Sequence, residues 1–188
     1  MTWPLGMRRR APTAASRDAF DTIILPYLDS AHNLARWLVR DTSLAEDVVQ
    51  DSVVRALLYI ATYEGGDARA WLMRIVRNVA YDALAARKRQ QAPRIAISDG
   101  DATLIERVAD PGDDPETALS RRQDQAALTA ALAELPLDLR ECLVLRELEN
   151  LSYKEIAHVI DVPLGTVMSR LWRARRTLLE ITAKGSTS

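Results

Sequence analysis

At 188 residues the chain has room for one domain or two small ones, and its low aromatic and glycine content, with abundant alanine and leucine, favours an all-α protein. A formal net charge of −1 argues at first against a nucleic-acid binder, but salt screens charges beyond about 8–10 Å, so local patches matter more than the sum. The single cysteine, Cys142, excludes an internal disulfide, the two histidines, His32 and His158, lack metal-ligand spacing, and no apolar run reaches the ~18 residues of a membrane span.

Residues 1–16 are expected to be disordered, with Met7 an alternative start. Arg8-Arg9-Arg10 is followed by Ala-Pro-Thr rather than an apolar run, so no export signal is expected and the chain is assigned to the cytoplasm. Residues 18–40 keep helical spacing through Phe20, Ile23, Ile24, Tyr27, Leu34, Leu38 and Val39, with a kink at Pro26. Ser43 and Glu46 form a capping-box pattern that opens a helix over 44–61, with apolar positions Leu44, Val48, Val54, Leu57 and Leu58. Its first turn carries Glu46, Asp47 and Asp51, with Gln50 between, and acids there complement a helix dipole. Residues 62–67 form a loop with Gly65 and Gly66. Asp67 or a neighbour caps a third helix to about Arg89, buried through Trp71, Leu72, Ile75, Val76, Val79 and Leu84.

That helix ends in a basic block, Arg87, Lys88, Arg89 and Arg94, with no acid between 83 and 98. Residues 90–117 read as a linker with Pro93, Pro111 and Pro115 and an acidic run. Helix returns over 118–132, breaks at Leu135-Pro136 and resumes over 137–149. Cys142, in that apolar stretch, reads as a small core residue.

The last segment reads as helix, tight turn, helix. Ser152 and Glu155 make a capping box, and Ile156, Ala157 and Ile160 an apolar face. Asp161 tolerates the left-handed conformation a turn needs, and Pro163 suits the first turn of a second helix. There Val167, Leu171, Ala174, Leu178 and Ile181 form a buried stripe. Gly165, Ser169, Trp172, Arg173 and Arg176 fall opposite, with Thr166, Met168, Arg170 and Arg175 on the flanks. A helix pair of this kind lays its second member in the DNA major groove, where arginine grips phosphate or reads guanine. A solvated basic face on a plain helical hairpin is the competing reading. The expected architecture is therefore all-α. A disordered stretch 1–16 precedes two small helical domains, 17–92 and 115–184, joined by a flexible acidic linker, 93–114.

No phosphate loop, nucleophile triad or metal cluster is present in the sequence, so no catalytic role, cofactor or small-molecule substrate is expected.

Three stretches together resemble the bacterial sigma-70 family of RNA polymerase sigma factors, in its extracytoplasmic-function (ECF) group. Ala45-Glu-Asp-Val-Val-Gln-Asp51 resembles the family's core-polymerase-binding motif, Ala70-Trp-Leu-Met-Arg-Ile-Val-Arg-Asn-Val-Ala-Tyr-Asp82 its minus-10 region, and 135–178 its minus-35 domain. The resemblance implies that Glu46, Asp47, Gln50 and Asp51 dock on core polymerase. It implies that Tyr63, Gly65, Gly66, Trp71, Arg74, Arg77, Asn78, Arg87, Lys88 and Arg89 meet minus-10 DNA. Lys154, Thr166, Met168, Ser169, Arg170, Arg173, Arg175 and Arg176 would meet minus-35 DNA. Trp71 is in phase with Leu72 and Ile75, so core packing is favoured over base stacking. The acidic linker would enter the polymerase's nucleic-acid channel or serve as a solvated tether. Neutralising Asp110, Asp113 and Asp114 would then alter initiation more than core affinity. Implied partners are core RNA polymerase, promoter DNA and an anti-sigma factor. A stand-alone helix-turn-helix regulator is the alternative.

Overall fold

The computed structural model describes residues 20–63, 65–91 and 127–185. Among them every regular element is helical. A helical lead-in over 20–23 meets a 3-10 turn at Leu25–Tyr27, then α1 spans Leu28–Val39. Pro26 causes this break, because its missing N–H and its ring disrupt an α-helix interior but suit a helix start. Next come α2, Thr42–Tyr59, and α3, Ala68–Gln91. Residues 127–134 form α4, and Leu137–Leu143 form α5, which widens into a π turn at Val144–Leu148. Tyr153–Ile160 and Leu164–Gly185 are α6 and α7.

The start of α2 differs from expectation. Asp41, not Ser43, is the N-cap, and its Oδ1 accepts the Leu44 N–H at 3.0 Å. Both residue types cap well, and Asp41 comes first. Helix therefore begins at Thr42, which places Glu46 and Asp47 beyond the first turn. The helix-dipole account of those acids weakens, since that effect fades within one turn. Val54, expected inside, is exposed, and Ala45, Val48, Ser52 and Ala56 form the buried face instead. Small residues there let α2 lie close to its neighbours.

Helices α1, α2 and α3 pack around Leu34, Trp37, Leu38, Leu72, Met73 and Val76. Helices α5, α6 and α7 pack around Cys142, Leu145, Ile156, Val167, Leu171 and Ala174. These two sets belong to one connected apolar cluster, because α1 and α3 also pack on α5 and α6. The linker and residues 1–19 lie outside the described residues, as do the expected helical positions 118–126.

Candidate nucleic-acid and polymerase interface

Glu46, Asp47, Gln50 and Asp51 share one exposed face of α2, opposite buried Ala45, Val48 and Ser52. Positions i, i+1, i+4 and i+5 fall together on a helix, so the arrangement follows from spacing alone. Asp51 pairs with Arg55 at 2.8 Å one turn on; Glu46, Asp47 and Gln50 are presented outward without such a pair among the described residues. This face can take a complementary basic or polar partner.

Gly65 and Gly66 both have φ +94°, a conformation that a side chain would strain. The Tyr63 hydroxyl donates to the Gly66 carbonyl at 2.6 Å, which fixes the loop across its own turn. Asp67 then caps α3 through the Ala70 N–H at 3.0 Å. Burial raises its carboxyl pKa, but the backbone donors of Ala70 and Arg69 and the Glu155 side chain outweigh that and hold it below the usual range. Trp71 is part-buried against the core and lies 5.6 Å from the Tyr63 ring, so the core reading holds for most of its surface.

The cations along α3 have different fates. Lys88 and Arg89 are exposed at its end, and Arg74 is half-buried. Arg87 pairs with Asp41 at 3.0 Å. Arg77, expected to meet DNA, donates instead to Glu141 of α5, Nε to Oε1 at 2.6 Å. Its guanidinium also stacks 4.4 Å above the Tyr81 ring and lies 3.5 Å from the Asn78 amide oxygen. Tyr81 donates to the other Glu141 oxygen at 3.1 Å. Glu141 is fully buried, and burial pushes its carboxyl pKa up while Arg77 and Tyr81 pull it down. In the first turn of α3, Arg69 pairs with buried Glu149 at 2.5 Å. Asn33 of α1 donates to the second oxygen of that carboxylate at 2.6 Å. Arg69, Tyr81, Glu141 and Glu149 were not among the expected site residues. Helical spacing shows which residues share a face, not which face another module covers.

A third contact is basic. Arg40, left-handed at φ 56° after α1, donates to the Ala133 carbonyl at 3.0 Å. Arg140 donates to the same oxygen at 3.0 Å. Two guanidiniums thus satisfy the carbonyl end of α4, where backbone dipoles leave negative charge. Burial first, then the Arg40 charge, lowers the Arg140 pKa to about 10.

In the helix-turn-helix the expected cap is present. Ser152 accepts from the Glu155 N–H at 3.3 Å, and Glu155 accepts from the Ser152 N–H at 2.6 Å. Asp161 occupies the left-handed region at φ 55°. Pro163 lies just before α7 rather than in it, with its carbonyl accepting from Thr166. Val167, Leu171 and Ala174 are buried as expected, and Leu178 and Ile181 are part-buried. Gly165, Met168, Ser169, Trp172, Arg173, Arg175 and Arg176 are exposed, as is Lys154 on α6. Thr166 is half-buried, and Arg170 turns inward, 3.5 Å from Asp138 and 20% exposed, which makes it a fastening residue. Arg175 is tied to Glu147 at 2.7 Å and Arg176 to Glu180 at 3.0 Å, whereas Arg173 meets no acid among the described residues. Trp172 lies beside Met168, Leu179 and Tyr153 in a shallow apolar groove, its ring 5.5 Å from the Arg176 guanidinium.

Among the described residues there is no cluster of potential metal ligands, and no helix is long and apolar enough to cross a membrane. Burial pushes the Cys142 thiol up to about 11, as suits a core residue.

Comparison with known proteins agrees with this arrangement. The family descriptions "Sigma-70 region 2" and "Sigma-70, region 4" match residues 23–90 and 125–178. The chain is 36% identical over 163 residues to RNA polymerase sigma-H factor of Pseudomonas aeruginosa, covering 85% of this chain and 84% of that protein. It is 33% identical over 166 residues to the ECF RNA polymerase sigma-E factor of Escherichia coli K12, covering 85% and 84%. The solved sigma factor RpoE from Bartonella quintana, in complex with the anti-sigma factor NepR, superposes with a TM-score of 0.68 at 29% identity, over 87% of this chain and 96% of that one. The residues that carry the acidic face, the glycine loop and the helix-turn-helix thus lie within matched regions, and the chain belongs to the sigma-70 family of bacterial RNA polymerase sigma factors, in the ECF group.

Proposed function

We propose that the chain binds core RNA polymerase and directs promoter-specific transcription initiation, reading minus-10 and minus-35 elements and promoting promoter opening. The observation that supports this best is the exposed face of α7, where Arg173, with no acid partner among the described residues, shares a face with small Gly165 and Ser169 on a well-capped helix-turn-helix. Such a surface enters a major groove with its backbone close to the bases.

In this reading 17–92 holds the polymerase-binding and minus-10 module, 93–114 the acidic linker and 115–184 the minus-35 module. Glu46, Asp47, Gln50 and Asp51 dock on core polymerase. The Tyr63, Gly65 and Gly66 loop, with Trp71, Arg74, Arg77, Asn78, Arg87, Lys88 and Arg89, holds an unstacked non-template base and its backbone. Trapping such a base costs a few kcal/mol, which the contacts of that pocket must offset. Lys154, Thr166, Met168, Ser169, Arg173, Arg175 and Arg176 serve the minus-35 element, while Arg170, expected there too, holds α7 to α5 through Asp138. The chain acts in the cytoplasm without a cofactor and catalyses nothing itself, since the chemistry belongs to the polymerase. An anti-sigma factor holds it inactive.

The test is transcription in vitro: purified protein with bacterial core polymerase on the promoter of its own gene, beside core alone. A start site that depends on the protein supports the proposal. No transcript and no co-elution with core overturns it in favour of a regulator that works without polymerase.

A further inference from the structure

We infer that Trp172 and Met168 read thymine methyl groups in the minus-35 element, so that the chain selects an A·T pair close to the guanine of Arg173. The inference rests on the proposal that α7 enters the major groove there. Met168 is 52% exposed and Trp172 61%, on consecutive turns of one face of α7. With Leu179 and Tyr153 they line one groove, which makes a joined apolar surface rather than scattered side chains. The fold does not use that surface, because buried Val167, Leu171 and Ala174 already hold α7 in place. Arg175 and Arg176 line the same groove, each paired with an acid, Glu147 and Glu180 respectively. Arg173 and Lys154 are exposed next to it in the chain. An apolar floor bordered by cations fits a partner that is anionic outside and carries small apolar groups within. Duplex DNA is such a partner, since its major groove shows a methyl group at every thymine.

Polar readers on this face are few. Thr166 is half-buried, and Ser169 turns its hydroxyl back to donate to the Thr166 carbonyl at 3.0 Å. Arg170 is fastened inward to Asp138. Arg173 remains, with no acid partner among the described residues, to take a guanine edge. Trp172 precedes it directly, and Met168 lies one turn earlier, about 6 Å along the helix. Base pairs rise about 3.4 Å each, so the methyl groups in reach belong to pairs within about two steps of that guanine. An indole has only two torsions to order, and the Arg176 guanidinium 5.5 Å from its ring further limits where it turns.

Deoxyuridine in place of thymine tests this, because it removes the methyl group and keeps every hydrogen-bonding group of the pair. Holoenzyme made from the full chain and core polymerase is bound to the promoter of its own gene, with each minus-35 thymine on either strand replaced in turn. At one or two positions, within about two base pairs of the guanine whose contribution is lost in Arg173→Ala, the missing methyl should weaken binding about fourfold, the scale of one buried carbon. Each such preference should vanish in Trp172→Ala or in Met168→Ala, and Trp172→Phe should keep it. Both side chains are exposed, and melting curves check that the variants keep the fold. Deoxyuridine without effect at every position overturns the inference. So does a minus-35 element with no A·T pair near that guanine. If Trp172→Ala and Met168→Ala weaken binding but keep the thymine preference, the groove serves a protein partner and the inference is again overturned. A holoenzyme that starts transcription yet ignores the methyl group sinks this inference alone, whereas a chain that yields no start site sinks the proposed function and this inference with it.

Discussion

Asp41 holds two helices with one carboxylate: Oδ1 caps α2 at the Leu44 N–H, and Oδ2 takes Arg87 of α3 at 3.0 Å. The cap should matter more than the ion pair, because both charged groups remain about a third exposed. Asp41→Ala is expected to cost about 1–2 kcal/mol, most of it the cap. Arg87→Ala should cost less than about 0.5 kcal/mol. Thermal or urea unfolding of the two variants and their double mutant checks the ordering; equal losses would mean that the ion pair dominates.

Arg173 is the arginine of α7 best placed to read a base. Arg175 and Arg176 must first give up Glu147 and Glu180. Arg173→Ala should weaken recognition of the upstream promoter element by about 1–3 kcal/mol, the range for a bidentate guanine contact. Arg175→Ala should weaken it less. Transcription from promoters altered base by base in the minus-35 element decides. If Arg173→Ala is slower on every sequence alike, the residue grips backbone and reads nothing.

On α2, Asp47 is exposed with no ion pair among the described residues, while Asp51 is engaged by Arg55. Asp47→Ala should reduce affinity for core polymerase about tenfold, the scale of a good interface residue. Asp51→Ala should have a smaller effect, since an exposed pair is also lost. Competition for core against a labelled wild-type chain gives both numbers, and wild-type affinity in Asp47→Ala would remove the residue from the docking face.

Asp161 ends α6 at φ 55°, where a β-branched side chain is strained. Asp161→Val should lower stability by about 1–2 kcal/mol, while Asp161→Gly should stay within about 0.5 kcal/mol of wild type. Melting curves of the two variants test this. A tolerated valine would mean that the turn rearranges.

Cys142 is fully buried with a thiol pKa of about 11. At pH 8 roughly one thiol in a thousand would be thiolate, even if reagent could reach it. Iodoacetamide should therefore label the folded chain very slowly and the urea-unfolded chain quickly. Fast native labelling would place the thiol at a mobile seam.

Local chemistry made much of the fold legible from sequence. Ser152 with Glu155, Asp161 and the Val167–Leu171–Ala174 stripe each carry their signal within a turn or two, and each is found as read. Where two good caps competed, spacing chose wrongly: Asp41 lies two residues ahead of Ser43, and the shift moved the acids of α2 out of the first turn. Val54 failed because it lies out of phase with the buried Ala45, Val48, Ser52 and Ala56, on the far side of α2. Arg77 and Arg69 show the deeper limit. A cation on a helix face has the same periodicity whether it meets DNA, water or a glutamate 64 or 80 residues further on.

The shared hold of Arg40 and Arg140 on the Ala133 carbonyl has a kinetic consequence. Because the two modules belong to one chain, docking of one on the other is intramolecular, at an effective concentration set by their covalent connection. Contacts too weak to keep separate proteins together can then persist within one molecule. Any partner that grasps a single module competes with this internal ligand. A partner that seizes both gains by avidity what the seam gives up.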